Sequence, residues 1–242
     1  MTPHVAVDTV SQLNYEALKE KCGIQAIIFD KDNTLTAPYV NEVHANAKLG
    51  LEKAVQTFGA SNVAILSNSA GTLDDPEYKD AISIENSMGI AVIRHDEKKP
   101  GGLAEVLEHF KLEDPANLCV VGDRLLTDVV FGNLFGMLTV HTLPLCRGAE
   151  NAGDNTVAKV IRWTENTILY SDWFGGRMLQ KRKLPHKYWP GEEECPLVLF
   201  VASTETENNN NNDITNDGNV DPNNSNNGPS QDSGSNEQKE EK

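Results

Sequence analysis

The sequence has few cysteines and no long apolar run, and each of these shortages excludes a class of protein. The four cysteines, Cys22, Cys119, Cys146 and Cys195, form no CxxC pair and follow no regular spacing. With Cys119 inside an apolar run, this pattern predicts reduced thiols rather than a disulfide framework. No stretch of about 18 or more residues is apolar throughout, so no transmembrane helix is predicted.

Positive charge is also scarce, because 21 Lys and Arg residues stand against 36 Asp and Glu residues and give a net charge of −15. The nine acids and two lysines of residues 203–242 contribute −7, which leaves −8 on the first 202 residues. An acidic body of this kind does not neutralise a nucleic-acid backbone, so no nucleic-acid partner is expected. A phosphate-bearing substrate would need local cations or a metal ion.

Short apolar runs alternate with helical patterns as far as about residue 172. The runs are rich in β-branched residues, which is typical of strands covered on both faces of a sheet. Strands that alternate with helices pair in parallel, so the pattern predicts an α/β fold with a doubly wound, mostly parallel sheet. The predicted strands are AIIFD, NVAILSN, IAVIRH, NLCVVGD and MLTVHT, and the predicted helices span roughly 44–58, 75–88, 101–111, 125–135 and 155–170.

Two further segments follow this domain, which we place at residues 1–172. Residues 173–202 begin with WFGGRMLQKRKLPHKYWP, where five cations and no acids are flanked by aromatic residues. Such a segment either docks on anionic lipid or packs on the sheet edge with its lysines in solvent. Residues 203–242 are rich in Asn, Asp, Ser and Gly and too poor in apolar residues to offset the entropy of ordering, so a disordered tail is predicted.

Polar side chains follow four of the predicted strands, at the point where each strand ends. The carboxyl ends of parallel strands share one edge of the sheet, where α/β proteins bind their ligands. His95 is interpreted as a surface or substrate-adjacent residue, because no other His or Cys stands at ligand spacing nearby. The residues at these ends are Asp30 and Asp32, then Ser67 and Asn68, then Arg94, His95, Lys98 and Lys99, and last Asp123, Arg124 and Asp128.

This set of side chains favours one kind of chemistry. Several carboxylates with few soft ligands nearby suit Mg²⁺, which prefers oxygen ligands. Beside a neutralised phosphate, one carboxylate can attack phosphorus and form an aspartyl-phosphate, while another protonates the leaving oxygen and later activates water. A lysine and a hydroxyl can hold the transferring oxygens. Each motif alone also fits a solvated turn or a helix cap, but the four in order indicate an enzyme.

The same motifs carry a resemblance to a known family. DKDNT at 30–34, SNS at 67–69, KKP at 98–100 and GDRLLTD at 122–128 resemble, in order, the four motifs of the haloacid dehalogenase (HAD) phosphatase superfamily. The longer stretches FDKDNTLTAPY, LSNSAG, IRHDEKKPG and VVGDRLLTDV resemble the mitochondrial phosphatidylglycerophosphate phosphatases of its subfamily IIIA. The resemblance covers roughly residues 20–145 and implies a HAD-like Rossmannoid fold.

The resemblance also implies a role for particular residues. Asp30 is the expected nucleophile and Asp32 the general acid and base, while Ser67 and Lys99 hold the phosphate. Lys99 is preferred to Lys98 because the lysine of the family stands directly before the proline. The resemblance further implies Mg²⁺ bound by Asp30, Asp123 and the main-chain carbonyl of Asp32, with Asp128 supporting the metal shell.

Four more residues at these strand ends are candidates for contacts with the substrate. Arg94 and Arg124 are expected to contact its phosphate, and Asn68 to lie beside Ser67 in the same loop. Lys98 is either a second cation at the substrate or a solvated surface charge.

The spacing of the motifs leaves no room for a large cap domain. Asp32 and Ser67 are 35 positions apart, Ser67 and Lys99 are 32 apart, and the crossover helices nearly fill both intervals. An uncapped crevice admits the phosphate of a large molecule, and the resemblance implies phosphatidylglycerophosphate, converted to phosphatidylglycerol on the path to cardiolipin. The alternatives are an uncapped HAD phosphatase acting on a soluble phosphoester or phosphoprotein, and a binding module without activity.

The resemblance implies a location on the matrix side of the mitochondrial inner membrane, with the protein bound peripherally to an anionic phospholipid surface. The first 25 residues contain Asp8, Glu16 and Glu20 but no arginine, so they predict neither a transit peptide nor a secretory signal. Either targeting is unconventional, or the native start differs, or the protein acts on another membrane.

Overall fold

A computed structural model of the protein describes residues 2–146 and 185–199, together with Thr164 and Thr167. These residues belong to one unit, Met1–Ala202, and residues 203–242, which include the predicted disordered tail, lie outside the described part. The unit is built on six strands: β1 (Val5–Val7), β2 (Ala26–Phe29), β3 (Val63–Ile65), β4 (Ala91–Val92), β5 (Leu118–Gly122) and β6 (Leu138–Thr142).

The strands form a single sheet in the order β1-β6-β5-β2-β3-β4, and every neighbouring pair is parallel. The predicted α/β class and doubly wound sheet are therefore confirmed. Five described helices connect the strands: α1 (Tyr15–Glu20), α2 (Ala45–Phe58), α3 (Lys79–Met88), α4 (Leu103–Phe110) and α5 (Val130–Phe135), the last preceded by a π-helical turn at Leu125–Val129.

Helices cover both faces of the sheet, and alternate residues of each strand face the two layers. Ile27 and Phe29 of β2 pack with apolar residues of α1, α2 and α3. Ala26 and Ile28 of the same strand pack with residues of α4 and α5. A strand with apolar neighbours on both sides needs no polar alternation, which explains the continuous apolar runs in the sequence.

All five predicted strands are present, each shorter than the stretch predicted for it: β2, β3, β4 and β5 end before their predicted stretches do, and β6 begins directly after Met137. The helices predicted near 44–58, 75–88, 101–111 and 125–135 are also observed. The helix predicted at 155–170 falls outside the described residues except for Thr164 and Thr167. The edge strand β1 and the helix α1 were not predicted, because both are too short to leave a recognisable pattern in the sequence.

The described end of the basic and aromatic segment packs on the folded unit. Trp189 is buried, and its indole N–H donates to the carbonyl oxygen of Cys195 at 2.9 Å. Val198 forms an antiparallel bridge with Leu13. Trp189 therefore faces the core, and residues 173–184 of this segment lie outside the described part of the chain.

Among the described residues, none of the helices combines the length and the apolar composition that a membrane crossing requires. The intervals between Asp32 and Lys99, which are described without a gap, contain loops, 3₁₀ turns, α2, β3, α3 and β4. No cap domain is inserted in this range, as the motif spacing predicts.

Candidate active site

Three central strands, β5, β2 and β3, deliver their following residues to the same edge of the sheet. The backbone N–H of Asp30 still donates to the Val121 carbonyl at 2.8 Å, so Asp30 continues the ladder between β2 and β5. Asp123 directly follows β5 and is buried. The parallel register thus brings carboxylates that are 93 residues apart in sequence into one crevice, as predicted.

Lys99 lies between two of these carboxylates. Its ammonium donates to Asp30 Oδ1 at 2.6 Å and also to Asp128 Oδ1, and its side chain is only 1% exposed. Burial alone would disfavour the ammonium, but the charges of Asp128 and Asp30 outweigh it and hold the pKa of Lys99 above its ordinary value. Lys99 is therefore a buried cation in direct contact with the predicted nucleophile.

Asp30, Asp123 and Asp128 each offer one carboxylate oxygen, and these three atoms lie within 4.8 Å of one another. Asp128 approaches this closely because Gly122 has no side chain: a Cβ there would stand 2.3 Å from the Asp128 carboxyl carbon. A compact, oxygen-only donor set fits Mg²⁺ better than a softer transition metal. The residues present therefore suit the ion that the sequence predicts.

A neutral histidine on the neighbouring strand β6 contacts the backbone of Asp123, one of these three acids. His141 of β6 donates through Nε2 to the main-chain carbonyl of Asp123 at 3.0 Å. Burial lowers the pKa of His141 to about 4, so the ring stays neutral near pH 7. A histidine inside an apolar strand belongs to no motif, so His141 cannot be recognised as part of the site from the sequence alone.

Asp32, the predicted acid and base, is held by two neighbours in its own loop. Its Oδ1 accepts from the Lys31 ammonium at 2.8 Å and from the backbone N–H of Tyr39 at 3.1 Å. The side chain of Lys31 is 5% exposed, whereas that of Asp32 is 26% exposed. Lys31 is thus a second buried cation at the site. Its burial was not predicted, because a lysine between two aspartates is typical of a solvent-exposed turn.

Ser67 and Asn68 lie in the loop after β3, close to the lysine loop. Ser67 is buried, and its Oγ accepts from the backbone N–H of Ala70 at 3.4 Å. Asn68 Oδ1 accepts from the backbone N–H of Lys99 at 2.8 Å. Asn68 therefore positions Lys99, a contact that the sequence prediction of substrate binding did not include.

His95 differs from its sequence-based interpretation as a surface or substrate-adjacent residue. The side chain is buried, and its two ring nitrogens contact the carbonyl oxygens of Ser67 at 2.8 Å and of Glu97 at 2.6 Å. These contacts join the loop that carries Ser67 to the loop that carries Lys99. His95 is therefore a structural residue that fixes the spacing of two phosphate-holding candidates.

The three remaining cations occupy different surroundings. The guanidinium of Arg94 pairs with Glu85, also contacts the Val92 carbonyl and lies over the Tyr78 ring, so it is engaged away from the acids. Lys98 pairs with Asp74 on the surface. Arg124 lies beside Asp123, and its Nε is buried without a hydrogen-bond partner among the described residues.

Asp75 anchors the loop that follows Ser67. Its carboxylate accepts from the backbone N–H groups of Gly71, Asp80 and Ala81 at 2.9 to 3.0 Å. Burial opposes its ionisation, but these three donors more than compensate and hold the pKa of Asp75 below its ordinary value. The loop is thus tied to the first turn of α3.

Asp75→Ala is expected to lower the free energy of unfolding by about 2 kcal/mol, because three backbone donors lose their acceptor. Denaturant unfolding measures this, with Asp74→Ala as the exposed neighbouring control, expected within about 0.5 kcal/mol of the parent. Since the folded pKa of Asp75 is lowered, its contribution is present above the unfolded pKa of about 3.9 and is lost as the pH falls through the folded value. If the difference in unfolding free energy between the parent and Asp75→Ala did not become smaller in acid, the anchoring role of the ionised Asp75 carboxylate would be contradicted.

Comparison with known proteins identifies what this chain is similar to. Residues 1–145 match the sequence model of the family described as mitochondrial PGP phosphatase. The chain is 43% identical over 169 residues to phosphatidylglycerophosphate phosphatase 1, chloroplastic, of Chlamydomonas reinhardtii, covering 67% of this chain and 62% of that protein. It is 43% identical over 150 residues to phosphatidylglycerophosphate phosphatase 1, chloroplastic/mitochondrial, of Arabidopsis thaliana, covering 61% of this chain and 42% of that protein.

A third relative is matched over most of its length. The chain is 32% identical over 179 residues to the probable phosphatidylglycerophosphatase, mitochondrial, of Schizosaccharomyces pombe, covering 69% of this chain and 83% of that protein. The chain thus spans less than two thirds of the algal and plant relatives but most of the fission-yeast one. The region shared with the family contains all four motifs and every residue of the crevice described above.

Proposed function

The chain belongs to the mitochondrial PGP phosphatase family, and on this premise we propose that it removes the terminal phosphate of phosphatidylglycerophosphate to leave phosphatidylglycerol, on the path to cardiolipin. The observation that carries the proposal is the contact of buried Lys99 with Asp30, beside two further buried acids. A nucleophilic carboxylate, a cation and a group of oxygen ligands are what phosphoryl transfer to an aspartate requires.

Asp30 is the proposed nucleophile. One of its carboxylate oxygens attacks phosphorus, a new P–O bond forms, and the bond from phosphorus to the glycerol oxygen breaks. Asp32 donates the proton that the departing oxygen needs, then takes a proton from the water that hydrolyses the aspartyl-phosphate. Asp32 is partly exposed beside buried Lys31, so its carboxyl is accessible to both the leaving group and water.

The transferring oxygens need positive charge and hydrogen-bond donors. We assign this role to the ammonium of Lys99 and the hydroxyl of Ser67, whose loops are fixed to each other through His95 and Asn68. A Mg²⁺ ion held by Asp30, Asp123, the Asp32 carbonyl and Asp128 would neutralise the charge of the phosphate so that an anionic nucleophile can approach it. Arg124, which directly follows Asp123, is a candidate for a further contact with the substrate.

The open crevice suits a substrate whose phosphate is attached to something large. A lipid headgroup held in a bilayer can reach Asp30 only if no domain covers the crevice, and no cap is inserted between Asp32 and Lys99. We propose peripheral binding to the matrix side of the mitochondrial inner membrane. Because the names of the relatives include both chloroplast and mitochondrion, fractionation of the source cells is the test of the organelle.

Purified protein is expected to release phosphate from phosphatidylglycerophosphate in Mg²⁺, and to lose at least about 100-fold of that rate when the ion is chelated. Added Mg²⁺ should restore the rate, whereas added Na⁺ should not. Release from soluble phosphoesters or a phosphopeptide but not from the lipid would overturn the substrate assignment in favour of a general uncapped phosphatase. Full activity in chelator would overturn the metal assignment.

A further inference from the structure

Exposed apolar side chains lie in three of the loops at the edge of the sheet that carries Asp30 and Asp123. Tyr39 and Val40 lie in the loop after β2, Leu73 in the loop after β3 and Leu126 in the π-helical turn after β5. Tyr39 is 69% exposed, Leu73 is 74% exposed and Leu126 is 47% exposed. Because β5, β2 and β3 are neighbours in a parallel sheet, their following loops rise from the same edge as Asp30 and Asp123.

We propose that these four residues, which we call the apolar rim, insert into the surface of a lipid bilayer and hold the crevice against the headgroups. The inference rests on the proposed function, because the acyl chains of a phospholipid substrate stay in the bilayer. The enzyme must then bring Asp30 to the headgroup layer, and the loops after β2, β3 and β5, at the same edge of the sheet as Asp30, carry these four exposed apolar groups.

The rim loops are held in place by the site itself. The backbone N–H of Tyr39 donates to Asp32, and Tyr39 has a φ of 62°, a conformation that non-glycine residues rarely adopt. Leu73 is followed by Asp74, which pairs with Lys98, and by the anchoring carboxylate of Asp75. The exposed side chains are therefore presented from fixed loops joined to the catalytic residues.

A bilayer fits the rim better than a protein partner does. The apolar groups lie on three separate loops at one edge of the sheet, whereas a protein interface needs a continuous, well-packed patch. Leucine and tyrosine at such tips suit the acyl boundary and the headgroup level respectively. Asp74 lies beside Leu73 in the loop after β3, and Asp96 and Glu97 lie in the loop after β4, so we expect the rim to bind by apolar insertion rather than by attraction to anionic lipid.

Binding to vesicles of pure phosphatidylcholine tests the apolar rim, because this lipid has no net charge and electrostatic attraction to anionic lipid does not contribute. The double variant Leu73→Ser and Leu126→Ser should weaken partition by about threefold to tenfold for each leucine, since partial insertion recovers only part of the transfer free energy of full burial. Leu134→Ser is the matched control: Leu134 is 64% exposed, but it lies in the last turn of α5, toward the opposite edge of the sheet.

Turnover provides a second readout. The double variant should need more vesicle lipid to reach the same maximal rate on embedded phosphatidylglycerophosphate. It should hydrolyse the deacylated, water-soluble headgroup phosphate at the parental rate, because the substitutions change two exposed side chains and leave the catalytic residues unchanged.

The proposal would be overturned if the parent protein did not bind the vesicles, or if the double variant bound them as tightly as the parent does. It would also be overturned if Leu134→Ser weakened vesicle binding as much as the double variant does. Weakened partition without hydrolysis of the lipid by any variant would support the rim and refute the proposed substrate. The experiments therefore distinguish a failure of the apolar rim from a failure of the proposed substrate.

Discussion

Asp30→Asn is expected to lower the rate of phosphate release by at least about 10⁴-fold, because an amide cannot form the acyl-phosphate. Asparagine keeps nearly the same shape at the end of β2, and its side-chain oxygen can still accept from Lys99. The loss should therefore fall on kcat rather than on folding or on binding to vesicles. Steady-state kinetics on phosphatidylglycerophosphate measure it, and the unfolding midpoint shows whether the fold is intact.

The control for Asp30→Asn is Asp74→Asn, which removes an exposed carboxylate from the same edge of the sheet. Asp74 contacts Lys98 at the surface and none of the buried acids, so its amide variant should turn over at close to the parental rate. Activity of Asp30→Asn within about tenfold of the parent would show that another group attacks phosphorus.

Lys99→Met is expected to reduce both stability and activity. The buried side chain contacts partly buried Asp30 and fully buried Asp128, so its removal leaves both carboxylates without their cation. Breaking a buried ion pair in this way lowers the free energy of unfolding by about 3–5 kcal/mol. Activity should fall by about 10³-fold, because charge stabilisation of the transferring phosphate is lost as well.

Mg²⁺ distinguishes this electrostatic account from a simple packing defect. If Lys99 acts through its charge, Mg²⁺ should raise the unfolding midpoint of Lys99→Met more than that of the parent, since the ion replaces the missing positive charge. Lys98→Met is the stability control, because Lys98 is exposed, and its midpoint should shift by less than the equivalent of about 0.5 kcal/mol. An equal response to Mg²⁺ in the parent and in Lys99→Met would contradict the account.

The sequence contains enough information to predict the central sheet, because strands buried on both faces leave continuous apolar runs such as Ala26–Phe29. It also predicts that Asp30, Ser67, Lys99, Asp123 and Asp128 meet, since parallel strands send their following residues to one edge. The short edge strand β1 carries no such signal: three residues with one face partly in solvent do not stand out from a loop.

Contacts between side chains far apart in sequence could not be predicted from the sequence pattern. Arg94 follows a strand like the other candidates, yet its partner Glu85 lies on α3, and the nine-residue separation matches no helical or strand period. His95 and Asn68 hold loops together through contacts that only the folded chain brings about. Lys31 belongs to the site because its side chain is buried beside Asp32, and the local sequence Asp-Lys-Asp does not show that burial.

The central claim is that the carboxylate of Asp30 becomes transiently esterified to phosphorus. The direct test is to quench the enzyme during turnover, reduce any acyl-phosphate with borohydride and identify the modified residue by peptide mass spectrometry. The account predicts homoserine at position 30 in the presence of substrate and Mg²⁺, and none without substrate. Homoserine at position 32 instead, or turnover with no reducible acyl-phosphate at any aspartate, would contradict it.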